Sequence, residues 1–159
     1  MSVTPVEAYL AAHGITFTRH EHPPVATVAE AEEYWGAIDA LHAKNLFLRD
    51  AKGLRHFLVV LASTRRADLK ALGETFGAGK LGFASPERLQ TFLGLTPGAV
   101  SPFGLINDPA HLVEVAMDTA LRSAERVAFH PNVNTATLVL TGGGFRRYLM
   151  SIGHEVRWI

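Results

Sequence analysis

The sequence predicts an α/β fold, a single compact domain in which helices flank a mixed central β-sheet. Helix-start patterns such as Thr4-Pro5-Val6-Glu7 alternate along the chain with short β-prone apolar segments. We find no internal repeat, low-complexity tract or linker. A chain of 159 residues is long enough to bury a substantial core. We therefore expect residues 1–159 to form one domain.

Composition narrows the function classes. The 15 basic and 15 acidic residues give a formal net charge of zero, which argues against a protein that coats nucleic acid but allows contact with a few phosphates. The absence of cysteine excludes disulfides, thiolate metal sites and a cysteine nucleophile. The amino-terminal residues lack a secretory signal pattern, and no apolar run approaches the ~20 residues of a membrane helix. We expect a cytoplasmic protein without membrane association.

The first forty residues predict two helices and a short strand. Thr4 caps a helix that starts at Pro5 and ends before Gly14. Ile15 and Phe17 then suggest a short strand, and an extended segment leads to the prolines Pro23 and Pro24. A second capping box, Thr27 to Glu30, predicts a helix that runs to Trp35 and stops at Gly36.

A β-hairpin follows, with strands at 43–50 and 54–61 joined by the turn 51–53. Its second strand is apolar on both faces, which predicts a position near the centre of the sheet. Alternation puts Lys44 on the same face as Leu46 and Leu48. A lysine there either extends along the rim of the sheet or points into a cleft.

The rest of the chain continues the α/β pattern. Helices are predicted at 67–76, from Ser85 to Gly94, and after Gly142-Gly143-Gly144 as far as Gly153. Strands are predicted at 112–117, 127–130, 135–141 and 155–159.

The loop from Gly94 to Leu105 is unusual because it combines helix-breaking residues with apolar residues. It holds three glycines and two prolines, which exclude a regular helix, yet it also carries Leu95, Val100 and Phe103. An apolar loop must pack against other groups, and its backbone groups need partners. It is either a buried connection or the wall of a small-molecule pocket built from backbone.

Two catalytic interpretations are unfavourable. Ser101 cannot be a nucleophile-elbow serine, because Ala99 and Phe103 replace the glycines and Pro102 has no N–H for an oxyanion hole. His20 and His22 could chelate from an extended segment, but no other metal-ligand spacing supports them. We expect neither a metal nor another cofactor.

Four blocks of sequence carry a family resemblance. They are Glu21-His22-Pro23-Pro24-Val25, Lys44-Asn45-Leu46-Phe47-Leu48, Gly98-Ala99-Val100-Ser101-Pro102-Phe103-Gly104-Leu105-Ile106-Asn107-Asp108 and Phe129-His130-Pro131-Asn132-x-Asn134-Thr135-Ala136-Thr137. In order and spacing they resemble the prolyl-tRNA editing superfamily, which includes the YbaK proteins and the insertion domain of bacterial prolyl-tRNA synthetases. The Ala-Val-Ser-Pro-Phe-Gly loop and the Phe-His-Pro-Asn block are similar to the free-standing alanyl-tRNA(Pro) deacylases.

The resemblance implies a YbaK-like fold and hydrolysis of the ester that joins alanine to the 3′ end of proline tRNA. It implies that Lys44 holds the terminal phosphate, while Asn45 and His130 orient the ester and the amino acid. The wall and its backbone contacts would come from Gly98, Ala99, Val100, Ser101 and Pro102. The expected partner is the acceptor end of aminoacylated proline tRNA, with prolyl-tRNA synthetase or an elongation factor as further partners.

Three alternatives stay open on the sequence. The chain could be a Cys-tRNA(Pro) deacylase of the same superfamily, although that branch has a Gly-Gly-Ile-Ser-Pro-like loop. It could be a non-catalytic nucleic-acid-binding module that uses the same pocket for a nucleotide end. It could also be a hydrolase of free aminoacyl esters, which would not require tRNA.

Overall fold

The computed structural model describes residues 3–24 and 38–159. Its helices are α1 (Pro5–Ala12), α2 (Leu69–Phe76), α3 (Pro86–Leu93), α4 (Thr119–Ser123) and α5 (Gly142–Ile152). Its strands are β1 (Thr18–Glu21), β2 (Leu41–Asp50), β3 (His56–Ala62), β4 (Leu81–Phe83), β5 (Val113–Met117), β6 (Arg126–Phe129), β7 (Ala136–Thr141) and β8 (Val156–Trp158). Two 3-10 turns, Pro97–Ala99 and Pro102–Asn107, lie between α3 and β5.

The strands form one mixed sheet of eight strands in the order β1-β7-β6-β2-β3-β5-β8, with β4 beside β2. The β2–β3 hairpin is antiparallel, and β2 and β3 also have parallel neighbours, β6 and β5. Every residue of β3 is buried, as its continuous apolar sequence predicts. The predicted α/β fold with a mixed central sheet is confirmed.

Strand β2 has a gap along one of its edges. Its start pairs with β6 at Leu41 and His42, and its end pairs with β4 from Leu48 to Asp50. Between these pairings, residues 43–47 have no strand partner on that side among the described strands. Lys44, Asn45 and Leu46 therefore lie where β2 has no described strand neighbour on that side, whereas the Phe47 carbonyl accepts from the Ala84 N–H at 3.0 Å.

The hydrophobic core lies on both faces of the sheet. The larger cluster joins one face to α1, α3, α4 and α5, and includes Phe47, Leu58 and Phe129. The opposite face packs against α2 and includes Leu48 and Phe57. Ala128 and Val139 form a small third cluster with Ile38.

Several boundaries differ from the predictions. The first strand lies at Thr18–Glu21 instead of around Ile15 and Phe17, because pairing with β7 selects the later segment. The short elements β4 and α4 were not predicted; each has at most five residues, too few to give a hydrophobic period. The helix predicted at 27–35 lies outside the described residues. No helix in the described part of the chain is long and apolar enough to cross a membrane.

Candidate functional site

A small cavity opens where β2 and β6 separate. The strands pair only at Leu41 with Val127 and at His42 with Ala128, and beyond these pairs a gap forms between them. The cavity is lined by His42, Ala43, Asn45, Ala128, Phe129, His130 and Thr137. The structure thus brings together Asn45 and His130, two predicted site residues that lie 85 positions apart in the sequence.

The imidazole of His130 is fixed by one hydrogen bond. Its Nδ1 lies 2.9 Å from the carbonyl oxygen of Ala136, which can only accept, so Nδ1 carries the proton. In the neutral ring the other nitrogen, Nε2, is then an acceptor. Burial lowers the pKa of His130 below its ordinary value of 6.5, and the neighbouring His22 and His42 lower it further. His130 is therefore a neutral acceptor at pH 7.

Asn45 carries an unsatisfied acceptor. Its side-chain Oδ1 is buried and has no hydrogen-bond partner in the described part of the protein. Leaving a buried polar atom unpaired costs about 1–3 kcal/mol, so such atoms in a cavity often mark a ligand or water position. The Asn45 amide is thus available to a group that enters the cavity.

Lys44 lies on the same face of the sheet as His130. The parallel pair His42–Ala128 sets the register, and Lys44 and His130 each follow two residues later. Lys44 is half-buried, and its ammonium makes no hydrogen bond or ion pair with any described residue. It does not line the small cavity. An unpaired lysine on this face can bind an anion at the mouth of the gap.

The predicted wall, Gly98 to Pro102, packs against the loop that follows His130. The Ser101 hydroxyl donates to Asn132 Oδ1 at 3.2 Å and accepts from the Phe103 N–H at 2.9 Å. A Cβ placed on Gly98 would lie 3.4 Å from the amide nitrogen of Asn134. Asn132 itself has a positive φ of 62°, a conformation that asparagine tolerates. The two loops therefore pack against each other, but the described residues that line the cavity include none from Gly98 to Pro102.

A buried tyrosine holds this wall in place. The hydroxyl of Tyr148, on α5, donates to the Pro102 carbonyl at 2.7 Å. Burial raises the pKa of Tyr148 well above its ordinary value, so the hydroxyl stays protonated and keeps donating. The Pro102 carbonyl is consequently occupied. The N–H groups of Val100 and Ser101 make no hydrogen bond with a described residue; Val100 is half-buried, whereas Ser101 is fully buried.

Sequence reasoning missed the supporting roles of three polar residues. His22 Nε2 accepts from the Thr137 hydroxyl at 2.9 Å, and its ring lies 5.8 Å from that of His130. His42 reaches the same cavity from β2, and burial lowers its pKa. Strand pairing is the signal that could have identified these roles. His130, Thr137 and His42 share one face of the sheet only if β6 pairs with both β2 and β7. Among the described residues, no group of three His, Asp or Glu side chains could hold a metal ion.

The site thus combines a polar gap in a mixed sheet with the Gly98–Pro102 loop, which packs against the loop that follows His130. The family of the aminoacyl-tRNA editing domain matches residues 22–148, which include all the predicted site residues. The chain belongs to this family.

Known proteins support this assignment. The chain is 45% identical over 145 residues to the prolyl-tRNA editing protein ProX of Acetoanaerobium sticklandii, covering 91% of this chain and 88% of that protein. It is 32% identical over 139 residues to the prolyl-tRNA synthetase associated domain-containing protein 1 of Mus musculus, covering 85% and 82% of the two chains. A crystal structure of a candidate trans-editing enzyme for prolyl tRNA synthetase has a TM-score of 0.72 at 25% identity, covering 98% of this chain and 96% of that one. The resemblance stated from the four blocks is confirmed.

Proposed function

We propose that this protein is a trans-acting aminoacyl-tRNA deacylase that hydrolyses the ester of mischarged Ala-tRNA(Pro). The observation that carries the proposal is the convergence of Asn45 and His130 on one cavity beside the Gly98–Pro102 wall. The similarity to ProX, a prolyl-tRNA editing protein, supports the choice of tRNA. On this proposal residues 1–159 act as one editing domain in the cytoplasm.

The reaction needs placement more than activation. An aminoacyl ester is already reactive, so correct orientation and stabilisation of the developing negative charge can supply the catalysis. Lys44 would hold the phosphate of the terminal nucleotide. Asn45 and His130 would order the groups around the ester, and backbone groups of the Gly98–Pro102 wall would stabilise the carbonyl oxygen. Ser101 is not the nucleophile, because it is fully buried and its hydroxyl is engaged with Asn132.

Selectivity would come from the size of the pocket. An editor must spare proline, the correct amino acid, and a packed wall excludes a larger side chain by steric clash. The anchors at Ser101 and Tyr148 keep the wall from yielding. Smaller substrates than alanine would lose only ~1–3 kcal/mol for each missing methylene, so discrimination below alanine is shallow.

The test is to incubate the protein with proline tRNA charged with alanine, cysteine or proline and to follow deacylation. We expect rapid loss of alanine and almost none of proline. Faster cleavage of the cysteinyl ester would assign the chain to the cysteine branch. Equal cleavage of the prolyl and alanyl esters would overturn the proposal, as would binding of tRNA without turnover. Cleavage of free alanine esters at the same rate would show that tRNA is not required.

Contact with the synthetase or with an elongation factor is a further part of the proposal, because a trans-acting editor must reach the charged tRNA before the ribosome does. A net charge of zero is compatible with binding of the charged tRNA, since a protein that contacts only one tRNA end needs few phosphate contacts. Competition between elongation factor and the protein for Ala-tRNA(Pro) would measure it.

A further inference from the structure

The cavity between β2 and β6 is the size of one water molecule. Its volume is about 10 Å³, close to the minimum that a single water needs. Polar side chains line it from three strands: Asn45 and His42 from β2, His130 after β6, and Thr137 from β7. A polar cavity of this size with two to four partners is the type that holds an ordered water.

The two groups of interest there are both acceptors. Asn45 Oδ1 is buried without a partner, and His130 presents Nε2 as an acceptor because Nδ1 donates to the Ala136 carbonyl. A water that donates one proton to each acceptor has its lone pairs directed away from both groups. Such a water is oriented as a nucleophile, and its proton already points at a neutral imidazole.

We propose that this cavity holds the attacking water, with Asn45 Oδ1 and His130 Nε2 as its two hydrogen-bond acceptors. The inference deepens the proposed deacylase function and rests on it. In this proposal Asn45 positions the attacking water instead of the amino acid of the substrate. His130 is the general base.

The step balances without a further reagent. The water oxygen forms a bond to the ester carbonyl carbon while its proton passes to His130 Nε2. The tetrahedral intermediate then collapses, the bond from carbon to the ribose oxygen breaks, and the imidazolium returns its proton to that leaving oxygen. The products are free alanine and the tRNA hydroxyl, and His130 is neutral again.

The α-ammonium of the substrate is the competing occupant, because it too could donate to both acceptors. The volume of about 10 Å³ favours water, because it matches one water molecule and would leave the Cα of an ammonium outside the cavity. Charge favours it as well. Within residues 3–24 and 38–159, the charged or titratable groups near His130 are His22 from the segment after β1, His42 from β2 and Lys44 on the same face, and they include no carboxylate that would attract an ammonium.

The experiment compares two substrates and two variants. Ala-tRNA(Pro) and its lactyl analogue, in which a hydroxyl replaces the ammonium, are cleaved by the wild type, Asn45→Leu and Asn45→Asp. If Asn45 holds the water, we expect Asn45→Leu to lower kcat about 100-fold on both esters with little change in KM. Asn45→Asp keeps the acceptor and should recover most of the activity.

Asn45→Asp also supplies a readout that a purely structural role would not move. A carboxylate beside His130 raises the pKa of the imidazole, so the acid limb of the pH–kcat profile should move to higher pH. Asn107→Leu is the matched control, because Asn107 bonds the Leu93 carbonyl away from the cavity, and it should leave that limb unchanged. Thermal unfolding checks that each variant is folded.

The proposal is overturned if Asn45→Leu impairs the alanyl ester but not the lactyl ester, which would place the ammonium at Asn45. It is also overturned if Asn45→Leu, folded, retains near wild-type kcat on both. These outcomes differ from failure of the proposed function, in which the wild type itself would not cleave Ala-tRNA(Pro).

Discussion

Two histidines, the buried His56 in β3 and the half-buried His130 just after β6, have pKa values lowered by the same main cause, burial. His56 is enclosed by other groups of the protein. Its Nε2 lies 2.9 Å from the Arg88 guanidinium, its ring stacks at 4.0 Å on Phe92, and only 3% of the residue is exposed. At His130 one nitrogen is fixed to a carbonyl and the other adjoins a polar cavity.

The difference shows that a lowered pKa alone does not identify a functional histidine. Both rings are neutral at pH 7, but His130, and not His56, lines a polar cavity. A free nitrogen next to a cavity is therefore more informative than the shift itself.

The largest effect should come from His130→Asn. Loss of a general base typically costs about 10²- to 10⁴-fold in rate, and we expect kcat on Ala-tRNA(Pro) to fall within that range. His56→Asn should instead lower the free energy of unfolding by about 1–3 kcal/mol, because Arg88 loses a buried partner, with kcat retained. Single-turnover kinetics and urea unfolding of both variants test this. Similar decreases in kcat for the two variants would contradict the different roles of His130 and His56.

Lys44→Ala should have the next largest effect. Loss of a charge-assisted hydrogen bond to a phosphate corresponds to about a 10- to 100-fold decrease in kcat/KM. Stability should change by no more than about 0.5 kcal/mol, because Lys44 bonds no described residue. Lys52→Ala, in the exposed β2–β3 turn, is the control and should have no effect on kcat/KM. A folded Lys44→Ala with full activity would remove Lys44 from the site.

Gly98→Val should reduce alanine cleavage more modestly. Its Cβ would meet the Asn134 amide at 3.4 Å, and the added methyl groups would push on that loop. We expect about a fivefold loss of kcat/KM on Ala-tRNA(Pro), from overpacking of about 1 kcal/mol. Gly98→Ala adds only the tolerated Cβ and should stay close to wild type. Unchanged cleavage by Gly98→Val would mean that Gly98 is not part of the wall.

Acid should weaken the fold slightly through both histidines. Their pKa values are lowered in the folded state relative to the unfolded value of 6.5, so the unfolded chain binds more protons below that pH. The free energy of unfolding should thus be constant above about pH 7 and decrease as pH falls through 6.5. His56→Asn and His130→Asn should each make this decrease shallower, as urea unfolding from pH 7.5 to 5 would reveal. If neither variant changed the slope of the free energy of unfolding against pH, the lowered pKa values of the two histidines would be contradicted.

The smallest expected effect is that of a chelator. We expect activity to persist in excess EDTA, because no described group of three carboxylate or imidazole side chains could hold a metal ion. Loss of activity that zinc restores would instead implicate His20 and His22.

More of the fold than of the candidate site could be predicted from the sequence. Capping residues and apolar segments predicted most of the elements, including α3 between Ser85 and the left-handed Gly94. The motif blocks predicted Asn45 and His130 together. The gap along β2 could not be predicted, because it depends on where β6 stops pairing and β4 starts, which involves residues far apart in the chain. The same holds for Tyr148 at Pro102, a contact across 46 positions.

That contact has a consequence for how the protein matures during synthesis. The strands that bear Asn45 and His130 are complete once the chain reaches Thr141, whereas the tyrosine that clamps the wall belongs to the helix made afterwards. Tyr148 also packs in the larger core cluster with Phe145 and Leu149 of the same helix. Docking of α5 therefore completes the core and fixes the Pro102 carbonyl together, only after the last helix has been made.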